Sequence, residues 1–176
     1  ELVKHYVDDY GFADTVEFLK DSLGNAPIFI RVNTLKTTTE KLIELLSEYG
    51  IVAVKCDDLD NALKLVDGGA VFKTKAYKDG FFHVQDKASQ ICISKLAPMP
   101  EDVVFDMCAS PGGKTFTIAE IMENKGEVYS FDLYEHRVKL ISDGSKRLGI
   151  DIVNAKVGNS AEYNNELPKA DKILCD

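Results

Sequence analysis

The chain has 176 residues, 45% of them apolar and 28% charged. That is enough for one medium domain or two small ones with a real core, and too apolar for wholesale disorder. The net charge is −8 and no segment is basic: residues 1–25 carry two bases and six acids, residues 26–86 eight and nine, residues 87–176 eleven and fourteen. Any affinity for nucleic acid must then come from a local patch or from parts outside this sequence.

Residues 2–23 read as one or two helices. Leu2, Val3, Tyr6, Val7 and Tyr10 sit at helical spacing, Gly11 interrupts, and Val16, Leu19 and Leu23 resume the pattern. Gly24-Asn25-Ala26-Pro27 is a break. Ile28 to Leu35 is an apolar-rich strand, and Thr37 to Glu40 has the form of a capping box. Leu42, Leu45, Leu46 and Tyr49 make an apolar helix face that Gly50 stops. Ile51 to Val54 is a second strand, and residues 62–84 offer further short strands with a turn at Asp79-Gly80. This order predicts a small α+β, RRM-like module.

From Gln85 the pattern changes. Residues 86–97 read as a helix ending before Pro98. Strands at Val103–Met107, Glu127–Phe131, Ile152–Val157 and Lys172–Cys175 then alternate with helices after Gly113 and from Tyr134 to Leu148. Such alternation predicts an α/β fold with a parallel sheet and crossover helices. The expected architecture is the first half of a Rossmann-like sheet, preceded by the small module and the N-terminal helices. The expected divisions are 1–25, 26–85 and 86–176. Ile173-Leu-Cys-Asp176 closes the sequence on a strand, so a truncated domain is expected, with an open sheet edge that favours self-association.

No apolar run approaches bilayer length and no charged-then-apolar leader is visible, so a soluble cytoplasmic protein without a membrane partner is expected. Cys56, Cys92, Cys108 and Cys175 form no Cys-x-x-Cys pair, and His5, His83 and His136 lie far from them in sequence. A metal site is therefore not expected, and scattered cysteines fit a reducing compartment.

Asp106-Met-Cys-Ala-Ser-Pro-Gly-Gly-Lys-Thr115 joins a strand to a helix. Gly112 and Gly113 let a ligand approach the backbone, and the first amides of the following helix are free to donate. Open α/β sheets place ligands at this end of their strands. A P-loop would need a glycine where Cys108 stands, and the dinucleotide fingerprint Gly-x-Gly-x-x-Gly is absent. An adenosyl ligand fits better, because Asp132 ends the next strand about twenty residues on, where a carboxylate typically holds ribose hydroxyls. The competing role for Asp132 is to cap the helix that begins near Tyr134.

These residues resemble the S-adenosylmethionine motif of the Sun/RsmB-like (Fmu) cytosine-5 RNA methyltransferases. Arg31-Val-Asn-Thr-Leu-Lys36, Val84-Gln-Asp-Lys-Ala-Ser-Gln90, Arg147-Leu-Gly149 and the opening Leu2 to Gly11 match the same family, so the likeness covers nearly the whole chain. It implies that Cys108, Ala109, Ser110, Pro111, Gly112, Gly113 and Lys114 contact the methionine part of S-adenosylmethionine. It implies that Asp132 binds the ribose. The family's usual aspartate for the adenine amino group is Asn159 here, an acceptor without the charge. Asp176 matches the aspartate that opens the next family motif, near cofactor and target base. In that family a Pro-Cys pair follows, and a second cysteine lies further on. One thiolate adds to C6 of cytosine so that C5 takes the methyl group, and the other helps release the product. The chain up to Asp176 has neither, so no catalytic residue is expected within it. Cys56 and Cys92 read as structural, and Cys175 as a small buried core residue of the last strand.

The resemblance implies RNA as partner, most specifically small-subunit ribosomal RNA. Arg31 and Lys36 resemble family residues in the module taken to assist RNA binding. Lys73, Lys75 and Lys78, interleaved with Phe72, Tyr77, Phe81 and Phe82, suit phosphates and bases, or else form a solvated strand edge over core aromatics. The alternative to an enzyme fragment is a non-catalytic module that binds RNA or cofactor. The residues that follow Asp176 separate the two.

Overall fold

A computed structural model describes residues 1–24, 26–66, 70–162 and 165–176. Asn25 of the expected break, and residues 67–69 of the 62–84 stretch, lie outside them. Helices α1 (Leu2–Tyr10) and α2 (Phe12–Ser22) meet at Gly11, as the spacing predicts. Tyr6 lies between the rings of Tyr10 and Phe18, with centroids 6.0 and 5.0 Å away.

Next come β1 (Ile28–Val32), α3 (Thr39–Ser47), β2 (Ala53–Lys55), β3 (Ala62–Leu65), α4 (Lys75–Lys78) and β4 (Phe82–Val84). The strands form one antiparallel sheet in the order β2-β3-β1-β4. Its inner face buries Ile30, Val32, Leu63 and Phe82 against Leu42 and Leu46 of α3. Three expectations need correction. β1 ends at Val32, because Asn33 turns the chain. The cap of α3 is Thr38, whose hydroxyl accepts from the Lys41 amide, so Thr37 and Glu40 form no capping box. Residues 71–78 form a 3₁₀ turn and a short helix rather than strands, since Thr74 caps α4 by accepting from the Tyr77 amide at 3.2 Å.

The second half follows the expected alternation: α5 (Lys87–Leu96), β5 (Val103–Asp106), α6 (Gly113–Ile121), β6 (Glu127–Asp132), α7 (Glu135–Leu148), β7 (Val153–Val157) and β8 (Lys172–Leu174). The sheet is parallel throughout, in the order β7-β6-β5-β8. The chain works outward from β5 to β7 and then returns to pair β8 on the other side of β5. That reversal opens a crevice at the carboxyl ends of the strands.

Helix α6 is buried on all sides from Thr115 to Glu120. It packs into the parallel-sheet core through Phe116, Ile118 and Ala119. Its Thr117 and Glu120 meet His83 and Arg31 of the antiparallel sheet. A helix clamped between two sheets cannot spare a wet face, so its polar residues must find protein partners. The seam is closed further by Asn33, wholly buried, whose amide donates to Gly80 O (2.8 Å) and Leu148 O (2.7 Å). Gly80 has φ 74°, and a Cβ there would collide with the Arg147 carbonyl, so only glycine lets the modules meet. Among the described residues no helix is long and apolar enough to cross a membrane.

Candidate ligand site at the ends of the parallel strands

The glycine-rich turn is built on Asp106. This carboxylate is 2% exposed and accepts from the Thr115 hydroxyl at 2.6 Å, which also lies 3.0 Å from the Ser130 hydroxyl. Burial raises the Asp106 pKa, against the bonds from Thr115 and the Cys108 amide. The network ties the start of α6 to β5 and β6. Two backbone bonds finish the turn: Ala109 N donates to Phe131 O (2.9 Å) and Gly112 N to Ala109 O (2.7 Å). Ser110–Pro111 is a cis peptide.

The two glycines have different duties. Gly112 has φ 109°, and a Cβ there would run into the Phe116 ring, so glycine is required by the fold itself. At Gly113 a Cβ would meet nothing closer than Gln85 at 3.7 Å, an ordinary contact. Gly113 opens α6, whose first amides lack intrahelical partners and point a partial positive charge outward.

Asp132 ends β6 and is 8% exposed. One oxygen accepts from the Tyr134 amide at 3.1 Å, and the other faces Arg137 at 3.9 Å. It does not cap α7: the capping position is Tyr134, with no side-chain bond to the helix. Asp132, Cys108, Gly158 and Asn159 line one cavity of about 290 Å³. A larger one of about 590 Å³ adjoins it, sharing Met107, Gly158, Asn159 and Ser160. Asn159 is braced by its neighbours, accepting from Ala161 N at 3.1 Å and donating to Glu162 at 2.7 Å. Lys114 and Asp176 form an ion pair at 2.5 Å that fastens the turn to the end of β8.

Thus the structure brings Cys108, Asp132 and Asn159 to one cleft and joins Lys114, at the start of α6, to Asp176, just after β8. Pro111 and Gly113 line a different cavity, on the α6–α7 side. Cys175 follows β8 and is exposed, not buried in the core; the Cys108 thiol is exposed too, and desolvation first, then the neighbouring Cys175 thiol, raise its pKa. A thiol so placed stays protonated near neutral pH, which suits packing rather than attack. Sequence reasoning missed Thr115, Ser130 and Ser160, whose hydroxyl bonds to Met107 O. Ser130 was findable, since a polar residue two before Asp132 in an apolar strand shares its face.

Arg31 and Lys36 are both engaged within the protein, Arg31 buried and Lys36 exposed. Arg31 is 7% exposed, donates to Asp60 O at 3.0 Å, and lies 3.5 Å from the buried Glu120 carboxylate. Lys36 spends its ammonium on Asp79 O (2.9 Å) and Arg147 O (2.8 Å). Lys73, Lys75 and Lys78 are exposed. His83 is buried against Glu120 at 3.4 Å, and His136 is exposed with its ring 5.7 Å from Tyr134. Among the described residues no group of three His, Cys, Asp or Glu side chains could hold a metal.

The chain is similar to known proteins in sequence and fold. A family model described as 16S rRNA methyltransferase RsmB/F matches residues 93–176, and the RsmF/B-like ferredoxin-like domain matches residues 2–72. The probable ribosomal RNA small subunit methyltransferase B of Bacillus subtilis (strain 168) is 35% identical over 99% of this chain and 39% of its own length. The tRNA (cytosine(72)-C(5))-methyltransferase of Pyrococcus horikoshii is 38% identical over 58% of this chain and 26% of its own. The crystal structure of PH0851 superposes with a TM-score of 0.91 at 34% identity, over 98% of this chain and 39% of that one. The chain therefore spans about two-fifths of the Bacillus relative.

Proposed function

Because the chain belongs to the RsmB/F family of RNA methyltransferases, we propose that it is the donor-binding part of an S-adenosylmethionine-dependent RNA (cytosine-5)-methyltransferase. The whole enzyme acts in the cytoplasm on small-subunit ribosomal RNA, the substrate class in the names of its Bacillus relative and of the matching family model. Residues 1–25 form the helical lead-in, 26–85 the RNA-side module and 86–176 the donor-binding domain.

The observation that carries this reading is the Asp132 carboxylate at the rim of the 290 Å³ cavity, with Cys108 and Asn159 on the same walls. Its bond from the Tyr134 amide, at 3.1 Å, leaves acceptor capacity for a pair of ribose hydroxyls. Asn159 Oδ1 keeps a second lone pair for the adenine amino group. The turn from Ala109 to Lys114 and the first amides of α6 receive the methionine carboxylate. Asp176, held by Lys114, closes the cleft beside β8. When bound, S-adenosylmethionine supplies an electrophilic methyl group. The thiolate that activates the cytosine comes from beyond Asp176, in the part of the relatives that this chain does not span.

The test uses a protein extended past Asp176, incubated with methyl-labelled S-adenosylmethionine and unmodified small-subunit ribosomal RNA. Mass spectrometry of the digested RNA should find 5-methylcytidine. A label on another base or atom, or no transfer by a folded protein that binds the donor, would sink the reading.

A further inference from the structure

We infer that the cavity on the α6–α7 side of the glycine-rich turn is a stacking subsite for one unpaired RNA base. The inference rests on the RNA methyltransferase reading above and adds to it a second site, which shares Pro111 and Gly113 with the turn that receives the donor. The cavity measures about 360 Å³, within the range of roughly 300–1,000 Å³ usual for small-ligand sites. Its walls come from both modules: Phe72, Tyr77 and Val84 on one side, Pro111, Leu140 and Arg147 on the other. Phe72 is 54% exposed, Leu140 51% and Val84 39%. A single exposed apolar side chain is ordinary, but three converging on one cavity mark a surface built to be covered.

The aromatic wall is held in place. The Phe72 ring stands edge-on to Tyr77, centroids 5.2 Å apart. Arg147 lies over the Tyr77 ring at 4.1 Å, and its guanidinium is fixed by donating to Tyr77 O (2.8 Å) and Phe82 O (3.1 Å). A flat ligand entering here would stack on a surface already ordered, at little conformational cost.

Charge identifies the occupant. Lys73, Lys75 and Lys78 are exposed on the segment that carries Phe72, and among the described residues no carboxylate is ion-paired with them. Asp143, the acidic residue lining the cavity, is held by Lys139 at 2.5 Å. In a chain of net charge −8, the segment that carries the exposed Phe72 ring thus presents three exposed lysines that are not ion-paired among the described residues. A ligand with a flat apolar face and anionic flanks matches both features, and an unpaired nucleotide in a single strand has that chemistry. Pro111 and Gly113 line this cavity while Cys108 of the same turn lines the donor cleft, so a strand seated here runs beside the methyl donor.

The test is an anisotropy titration of the 176-residue chain with a short, unstructured, end-labelled RNA. S-adenosylmethionine affinity and melting temperature are measured on the same preparations. Phe72→Ala should weaken RNA binding about tenfold, the scale of one lost base–aromatic stack, while Phe72→Trp restores it. Lys73→Ala with Lys75→Ala should lower the salt slope by about 1.4, two phosphate contacts of a single strand. Donor affinity should stay the same in all of them. Three results would overturn the subsite: equal RNA affinity in Phe72→Ala and the unmodified chain, equal competition by a perfect RNA duplex, or donor binding with no RNA binding. In each case the methyltransferase reading would stand. A folded chain that binds neither donor nor RNA would sink both.

Discussion

Two polar regions of this molecule contain similar residue types and use them in opposite ways. At the seam between the sheets, Arg31, Asn33, Lys36, His83 and Glu120 are turned onto protein partners. At the ends of the parallel strands, Asp132 and Asn159 are only partly engaged and line a cleft, while Lys114 and Asp176 pair with each other. The difference follows from packing. Helix α6 is enclosed by both sheets, so its polar groups can be met only from within the protein: Thr117 is hydrogen-bonded to Gln85, and Glu120 lies 3.4–3.5 Å from His83 and Arg31 without a hydrogen bond. The strand ends stop at the crevice made by the reversal of strand order, where backbone and side chains keep unspent donors and acceptors. The lesson is that a charged residue in a recognisable motif is not thereby a ligand residue; what surrounds it decides.

Substitutions can break or sharpen that contrast, and the largest effect is expected at the seam. Glu120→Ala leaves Arg31 buried without its carboxylate and should cost about 3–5 kcal/mol in urea unfolding. The double change Arg31→Met, Glu120→Leu should cost clearly less, because the penalty is the orphaned charge rather than the loss of a strong bond. Equal costs would show that the pair is not the reason. Asn33→Ala strips bonds from the carbonyls of Gly80 and Leu148 and should cost about 3 kcal/mol. Lys36→Met removes an ammonium from the last carbonyls of α7 and should cost about 1 kcal/mol. Its RNA affinity should not change; a loss there would restore Lys36 as an RNA contact. At the rim, Lys114→Ala should shift stability by less than about 1 kcal/mol, since the pair with Asp176 is partly exposed.

The smallest effect concerns pH. Burial raises the pKa of Asp106 in the fold, while the unfolded carboxylate keeps a value near about 3.9. As pH rises from that value toward the folded one, the unfolded chain gives up the proton first, so stability from this group falls. Asp106→Asn has no proton to lose and keeps an acceptor for Thr115. The urea midpoint of Asp106→Asn, relative to the unmodified chain, should therefore rise with pH above that value. Carboxylates whose pKa is lowered, such as Asp102, act oppositely but are common to both chains. A pH-independent difference would contradict the assigned shift.

The parallel half was legible in the sequence because its signals are local. Each strand is a short apolar run, each helix has its own period, and Asp132 sits at a fixed distance from the turn. The 71–78 segment was not legible. Phe72 and Tyr77 look like strand residues, yet Thr74 caps a helical turn, and the competing local bond wins. The fates of Arg31 and Lys36 were hidden for another reason. Their partners Glu120 and Arg147 lie far along the chain in a different module. No local pattern reports a contact of that range. The resemblance named these residues as a motif without saying that the motif holds the modules together.

The claim that the strand-end cleft is the donor site is tested most directly by calorimetric titration with S-adenosylmethionine, comparing the unmodified chain with Asp132→Ala. Melting curves of both belong beside it. The account predicts a measurable site in the unmodified chain, an affinity at least about tenfold lower in Asp132→Ala, as expected for losing bonds to a charged acceptor, and nearly unchanged melting. Equal affinity in the two chains, or no heat from an unmodified chain that melts cooperatively, would contradict it.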